Sequence, residues 1–400
     1  MILEIAIQNL SRNKRRVGLT LFSIVLATTF VVIFASIVNG VEFSFIAPAI
    51  DIDVGHVKII PAQQGFAGFV PRTVISKENA SLIEQKLGLF TSEYNIKGIT
   101  QRIRLPAISN SSQYQKDIIL IGIQPEREKD VSTLIKLADS LDLKNGFVGL
   151  GLDVAKSLNV DIGQNLTLQV SQEFFSVKIK YIFQTNWKEI DQKAIYIDLT
   201  FLESKLNLSG VSEIVVRLEN YLLAQSLADA LYEELKDYPQ LQIKTWEEEL
   251  SSILNMVNMA RGFMLLFYGL FLLAIVASIM LTTYMAVNER TREIGTLGSL
   301  GMKPWEIIAI FLLEAAFIGI IGSFLGTLLG ILVTYPLTIT GLDLSGSART
   351  TAFVAVIYAV LDIGEIIFLG LFISCLSIPG ALLPALKAAR IDPVEALRKT

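Results

Sequence analysis

Cysteine and histidine are almost missing from this chain. Each occurs once in 400 residues, as Cys375 and His56. A single cysteine excludes an internal disulfide, and one of each excludes a His/Cys metal cluster within one chain. A Ser-His-Asp triad is excluded everywhere except at position 56. No G-x-x-x-x-G-K-[ST] loop occurs, so the sequence offers no phosphate cradle of that kind for ATP. Charge is scarce as well: 18% of residues are charged against 52% hydrophobic. That balance excludes a wholly soluble chain, and no basic stripe is present to hold a nucleic acid.

What is abundant is apolar sequence, gathered into runs. Four stretches, about 17–40, 262–287, 307–336 and 364–386, are nearly free of charge. Each is long enough to cross a hydrocarbon core of about 30 Å as a helix. The first follows RNKRR and invites reading as a secretory signal. Its length of about 24 residues and the lack of an A-x-A-like cleavage pattern favour a retained span. Arg12, Lys14, Arg15 and Arg16 precede it, Arg290, Arg292 and Lys303 lie between the second and third runs, and Lys387, Arg390, Arg398 and Lys399 follow the fourth. The positive-inside rule then predicts cytoplasmic termini and places 41–261 outside. Residues 41–260 carry a net charge of −7 and the rest +3, a solubility feature of the outer block.

Periodicity supplies the elements. Ile2, Leu3, Ile5, Ile7 and Leu10 form an apolar stripe, with Glu4, Gln8 and Arg12 elsewhere, so residues 1–16 read as an amphipathic interfacial helix. In the outer block HVKIIPA, DIILIGI, NLTLQV, SVKIKYIF, AIYIDL and EIVVRL read as strands. ASLIEQKLG and LADALYEELKDY read as helices. This predicts an α+β domain in two lobes, with divisions near 70–80 and 140–150, where turn residues gather. TWEEELSSILNMVNMA predicts a helix leading straight into the second span. Residues 337–363 are expected to form a short outer loop, since TAFVAVIYAV is too short to cross.

Two features of the spans call for chemistry. Glu314 lies inside the third span, where a charge costs about 2.5–3.5 kcal/mol on insertion scales. Facing the bundle or snorkelling suits it better than proton transport, because the neighbouring spans hold no partner His or Asp. Asp362 and Glu365, at the edge of the fourth span, need no special role. Gly322, Gly326 and Gly330 form a G-x-x-x-G-x-x-x-G run, which serves either packing within the chain or a dimer face.

The turnaround 288–306, NERTREIGTLGSLGMKPWE, suits a short surface helix. Glu289 with Arg292, and Arg290 with Glu293, are spaced to pair. Ile294, Leu297 and Leu300 give an apolar stripe, Gly301 a stop and Pro304 the next start. A solvated connector is the alternative.

Several stretches carry a resemblance. NERTREIGTLGSLGMKPWEI resembles the E-R-x-x-E-I-G-x-L-R-A-L-G segment of ABC-transporter permeases of the MacB and lipoprotein-releasing LolC/LolE type, a family with FtsX-like members. PALKAARIDPVEALR is similar to that family's ending, VGLGLDVAKSLNVDIGQNLTL to a stretch of its periplasmic domain, and AIQNLSRNKRRVGLT to its start. The resemblance implies four transmembrane helices around a large two-lobed, MacB-like extracytoplasmic α+β domain, in the inner membrane. It implies that 288–306 is a coupling helix, in which Glu289, Arg290, Arg292, Glu293 and Gly295 form or shape the contact with a separate cytoplasmic ATPase. ATP and Mg would belong to that ATPase, present in two copies, and this chain would be non-catalytic and bind no cofactor or metal. A second permease chain, identical or related, is also implied. The family often has Arg or Lys where this chain has Gly298.

The function implied is mechanotransmission: ATP hydrolysis tilts the helices and moves the outer domain, exporting or extracting a lipoprotein, peptide or amphiphile. An FtsX-like regulatory permease controlling a cell-wall hydrolase is the alternative. Some lipoprotein-releasing permeases hold a carrier protein on a protruding hook; TLQVSQEFFSVKIKYIF is compact beside such a hook. An enzyme with an outer active site finds no motif.

Overall fold

The computed structural model describes all residues except 1, 13, 63–65, 68–69, 72–73, 112–113, 135–141, 186, 344–355, 393, 395 and 397–400. Arg398 and Lys399, and the TAFVA half of TAFVAVIYAV, therefore lie outside the described residues, as do the side chains of Ile2, Leu3, Ile7 and Leu10. The described residues fall into two units, one drawn from 1–41, 257–342 and 357–400, the other from 42–256 and 343–356.

The first unit holds four helices long and apolar enough to cross a membrane. The first span runs Lys14–Pro48 and continues as a π-helical turn over Ala49–Val54; the others are Ser251–Glu289, Pro304–Thr340 and Ile363–Ala389. Ile24, Ala27, Val31, Ile275, Ile279, Ala315, Ile373 and Ala381 are buried together at the centre. Leucine and phenylalanine side chains such as Leu266, Leu273, Phe324 and Leu332 remain exposed, as helices that must face lipid or another chain require. The N-terminal helix, Ile2–Arg12, has Ala6 buried while Glu4 and Gln8 stay exposed. At the other end of the bundle Asp362 caps the fourth span by accepting the Glu365 N–H at 3.1 Å. The Asn39 amide donates to the Glu365 carboxylate at 2.5 Å. Both acids thus have partners that their position in the sequence does not reveal.

The second unit is the domain between the first two spans. Its main sheet has nine strands: β1 (Val57–Pro61), β2 (Ile96–Asn110), β3 (Gln115–Ile123), β4 (Phe147–Gly151), β5 (Asn165–Val170), β6 (Glu173–Phe183), β7 (Ala194–Asp198), β8 (Glu213–Leu218) and β9 (Leu241–Thr245). Their order is β9-β1-β8-β2-β3-β7-β4-β6-β5, with β2 also paired to β5. All six stretches read as strands form strands; ASLIEQKLG lies within the helix Lys77–Tyr94, while LADALYEELKDY is helical only as far as Glu234, the end of Ala224–Glu234.

The two lobes divide elsewhere than at 70–80 and 140–150. Ile96 to Arg102 of β2 pairs with β8, and Ile103 to Asn110 pairs with β3. Since Ile108–Asn110 also pairs with β5, the six strands β2-β3-β7-β4-β6-β5 close on themselves. One lobe is this barrel; the other is β9-β1-β8 with the first half of β2. The boundary passes through the middle of one 15-residue strand, where no turn residue marks it. Ile103, Leu105 and Ala107 alternate into the core beside Leu120, Leu150, Leu168 and Ile195, as a closed sheet with one filled side dictates.

The helix expected over 245–260 is interrupted. Thr245 and Glu248 form a capping box on Trp246–Glu249, and Leu250, at φ −93° and ψ 15°, separates that turn from Ser251–Glu289. Leu250 is buried, so the break turns an apolar side chain inward.

His56 is structural. It is buried, and its Nδ1 accepts the Leu218 N–H at 3.0 Å, beside the edge of Tyr221. Burial, with Arg217 nearby, pushes its pKa down to about 4 from 6.5. Between those values the folded chain binds fewer protons there than the unfolded one, so stability rises with pH across the window and is lost as pH falls towards 4. The thermal midpoint of the detergent-solubilised protein is expected to drop between pH 7 and pH 5. Trp246, packed edge-on against Tyr221, supplies the fluorescence readout. His56→Gln should flatten this dependence; an unchanged slope would assign it to other groups.

Candidate functional site

The turnaround between the second and third spans is a helix, Thr291–Ser299. Gly301, at φ +90°, ends the segment in a conformation that glycine adopts without strain. Pro304 opens the next helix, and the Glu306 carboxylate accepts the Lys303 N–H at 2.7 Å. Ile294 and Gly295 are buried, and Leu297 is half-buried. Leu300 departs from the expected stripe: the helix stops at Ser299, and Leu300 is 79% exposed.

The pairs Glu289–Arg292 and Arg290–Glu293 do not form. The helix breaks at Arg290, at φ −105° and ψ 19°, so residues on its two sides do not share a face at i,i+3. Each charge is used separately. Glu289 meets Arg16 of the first span at 3.0 Å, and Glu293 meets Arg12 of the N-terminal helix at 3.1 Å. Arg290 is buried; it donates to the Glu314 carboxylate at 3.2 Å and to the Asn9 carbonyl at 3.2 Å. Asn9 in turn donates its side-chain amide to Glu314 at 2.6 Å. Glu314 therefore faces the bundle, with a guanidinium as its counter-ion. Arg292 is exposed and pairs with no acid among the described residues.

Gly322, Gly326 and Gly330 lie against the first span of the same chain. A Cβ on Gly322 would stand 2.7 Å from Ile24, one on Gly326 2.6 Å from Thr28, and one on Gly330 2.7 Å from Val32. Thr29 donates to the Gly326 carbonyl at 3.1 Å. The stripe is filled from within the chain, so it is not an open face for a second copy. Spacing alone could not choose between the two uses, since both need the same close approach.

Residues 17–233 match the MacB-like periplasmic core domain, and residues 265–393 match the FtsX-like permease C-terminal domain. The chain belongs to the MacB/FtsX-type permeases. Curated relatives agree. The permease is 23% identical over 336 residues to the lipoprotein-releasing system transmembrane protein LolC of Xylella fastidiosa strain Temecula1, covering 79% of this chain and 81% of that one. It is 24% identical to LolE of Haemophilus influenzae, over 76% and 77% of the two chains. An uncharacterized ABC transporter permease of Methanocaldococcus jannaschii is 23% identical over 99% and 97%. Such a permease implies an ATPase and a second permease chain as partners.

The permease has a second concentration of charge, which the sequence reading missed. Arg102, only 1% exposed, forms a bidentate pair with the equally buried Glu128, which also accepts from the Thr100 hydroxyl at 3.1 Å. Arg104 pairs with Asp53 and, at 2.8 Å, with Glu213; Lys58 reaches Glu213 at 3.4 Å and Glu249 at 3.3 Å. Arg217 reaches Asp51 at 2.5 Å. Burial alone would raise the Glu213 carboxyl, but Arg104, Lys58 and Arg102 hold it down at about 2. Asp53, Lys58, Arg104, Glu213 and Glu249 border a cavity of about 420 Å³ whose apolar wall includes Ile121, Trp187 and Leu250. The clue available in sequence is the alternation of Arg102 and Arg104 in QRIRLPA, which puts two cations on one strand face.

Proposed function

We propose that this permease is the transmembrane subunit of an ABC machine whose ATP hydrolysis, on a separate ATPase that holds the ATP and Mg, drives movement of the inter-span domain. The work done is the export or extraction of a lipoprotein, peptide or amphiphile at the outer face of the inner membrane. Both termini and the turnaround are cytoplasmic in this reading. The basic residues Lys14, Arg15, Lys303 and Lys387 gathered at those ends support it. The chain itself performs no catalysis.

The observation that carries the reading is the division of the turnaround helix into two faces. Ile294 and Gly295 are buried on one side, while Arg292 and Thr296 are exposed on the other, with Leu300 and the 59% exposed Trp305 beyond the helix end. An exposed tryptophan and an exposed guanidinium on one turnaround suit a protein partner, because aromatic residues and Arg carry much of the binding energy at such surfaces. Glu289 and Glu293 shape the site by fixing the helix to the first span and the N-terminal helix. The name of the LolC and LolE relatives, lipoprotein-releasing, favours a lipid-modified or amphiphilic cargo.

Affinity capture of the solubilised permease from its native membrane tests this. A soluble ATPase is expected with the wild type, and its recovery is expected to fall about tenfold or more with Arg292→Ala and Leu300→Ala combined. Capture of no ATPase under conditions that preserve complexes would defeat the proposal. A cell-wall hydrolase recovered in place of a cargo or carrier would favour the FtsX-like regulatory role.

A further inference from the structure

Arg290 sits between two helices, and its backbone is the joint. The second span ends at Glu289, and the turnaround helix begins at Thr291. Its side chain turns away from the outward face and into the bundle, to the Glu314 carboxylate of the third span and the Asn9 carbonyl, each at 3.2 Å. Asn9 is among the last four residues of the N-terminal helix, whose carbonyls have no partner within the helix. A cation at that end also suits the helix dipole. The Asn9 amide closes the ring by donating to Glu314 at 2.6 Å. On either side Arg12–Glu293 and Arg16–Glu289 repeat the link at 3.1 and 3.0 Å.

We propose that the Asn9–Glu314–Arg290 knot makes the N-terminal helix a working strap of the coupling apparatus, delivering displacement of the turnaround helix to the first and third spans together. The proposal rests on the reading that an ATPase acts on the turnaround helix. Arg290 becomes a positioning residue inside the joint and leaves the ATPase contact to Arg292 and Leu300. A buried guanidinium and carboxylate resist separation, because each would be left uncompensated beside the spans. The joint therefore cannot swing without carrying Glu314 and Asn9 along. Arg16, at the start of the first span, follows through Glu289 and the strap. Without the strap, the turnaround helix would tilt on Arg290 and leave the first span behind.

The test uses the full chain in lipid nanodiscs with the ATPase it captures, comparing wild type, Glu314→Gln and Asn9→Ala. The readouts are ATPase retained, KM for ATP and kcat. ATPase retention and KM are expected to stay as in the wild type, while kcat falls about tenfold for Glu314→Gln and by a smaller factor for Asn9→Ala. Should Glu314→Gln fail to fold, Asn9→Ala decides alone, since it removes one amide from a half-buried position. Wild-type kcat in the folded variants would overturn the proposal. So would loss of captured ATPase from them, which would make the knot a binding surface. If the wild type itself captures no ATPase, the reading beneath the proposal fails first, and the proposal falls with it.

Discussion

Replacing Arg102 by alanine is expected to unfold the inter-span domain, or to lower its stability by about 3–5 kcal/mol. That is a large part of the total of about 5–15 kcal/mol typical of a folded domain. Arg102 and Glu128 are each 1% exposed and face one another through two nitrogens of the guanidinium. Removing the cation leaves a carboxylate in the interior that keeps, among the described residues, the Thr100 hydroxyl as its hydrogen-bond partner. Removing both charges is a different experiment. Arg102→Met with Glu128→Leu leaves no orphaned ion, because Asp53 and Glu213 still have Arg104. The double variant is expected to melt close to the wild type, since apolar replacement of a whole buried pair is often neutral or better. Thermal melting and limited proteolysis of the full chain in detergent would measure both. A single variant that melts within a degree or two of wild type would show that the pair contributes little.

Gly326→Val is expected to destabilise the bundle of spans. A Cβ at 326 would lie 2.6 Å from the Thr28 side chain and 2.7 Å from the Val25 carbonyl. The carbonyl belongs to a helix backbone and cannot yield as a flexible side chain would, so the first and third spans must separate. Separation also breaks the Thr29 hydrogen bond to Gly326. Overpacking of this kind costs about 1–3 kcal/mol and occasionally more. Gly262, on the second span, has nothing within 4 Å of an added Cβ, and Gly262→Ala is the control. Gel filtration should show less monodisperse protein for Gly326→Val than for Gly262→Ala. Equal profiles would mean that the spans do not approach as closely as described.

The sequence was most legible where one short segment carries its own signal. The four apolar runs and the six β-branched stretches each satisfy a local rule, and each became the expected element. β2 escaped because Gly98, Pro106 and the two arginines interrupt its apolar pattern; it is a strand only because β8, β3 and β5 supply its partners. The turnaround was legible as a helix with a stop at Gly301, but its ion pairs were not. Glu289 and Arg16 are 273 residues apart, and Arg290 and Glu314 are joined across two helices. Spacing rules see neighbours along a helix, and here the helix breaks between the residues those rules would join.

The strand order has a consequence for synthesis. β1 lies between β8 and β9, and neither neighbour exists until the chain has grown by more than 150 residues. At about 5–20 residues per second, Val57–Pro61 waits roughly eight to thirty seconds with both edges open. The barrel strands, all between Ile96 and Phe183 save for β7 at Ala194–Asp198, can close during that wait. The lobe that begins first along the chain is thus completed last, and its apolar first strand is the segment that a holdase chaperone would meet on the nascent protein.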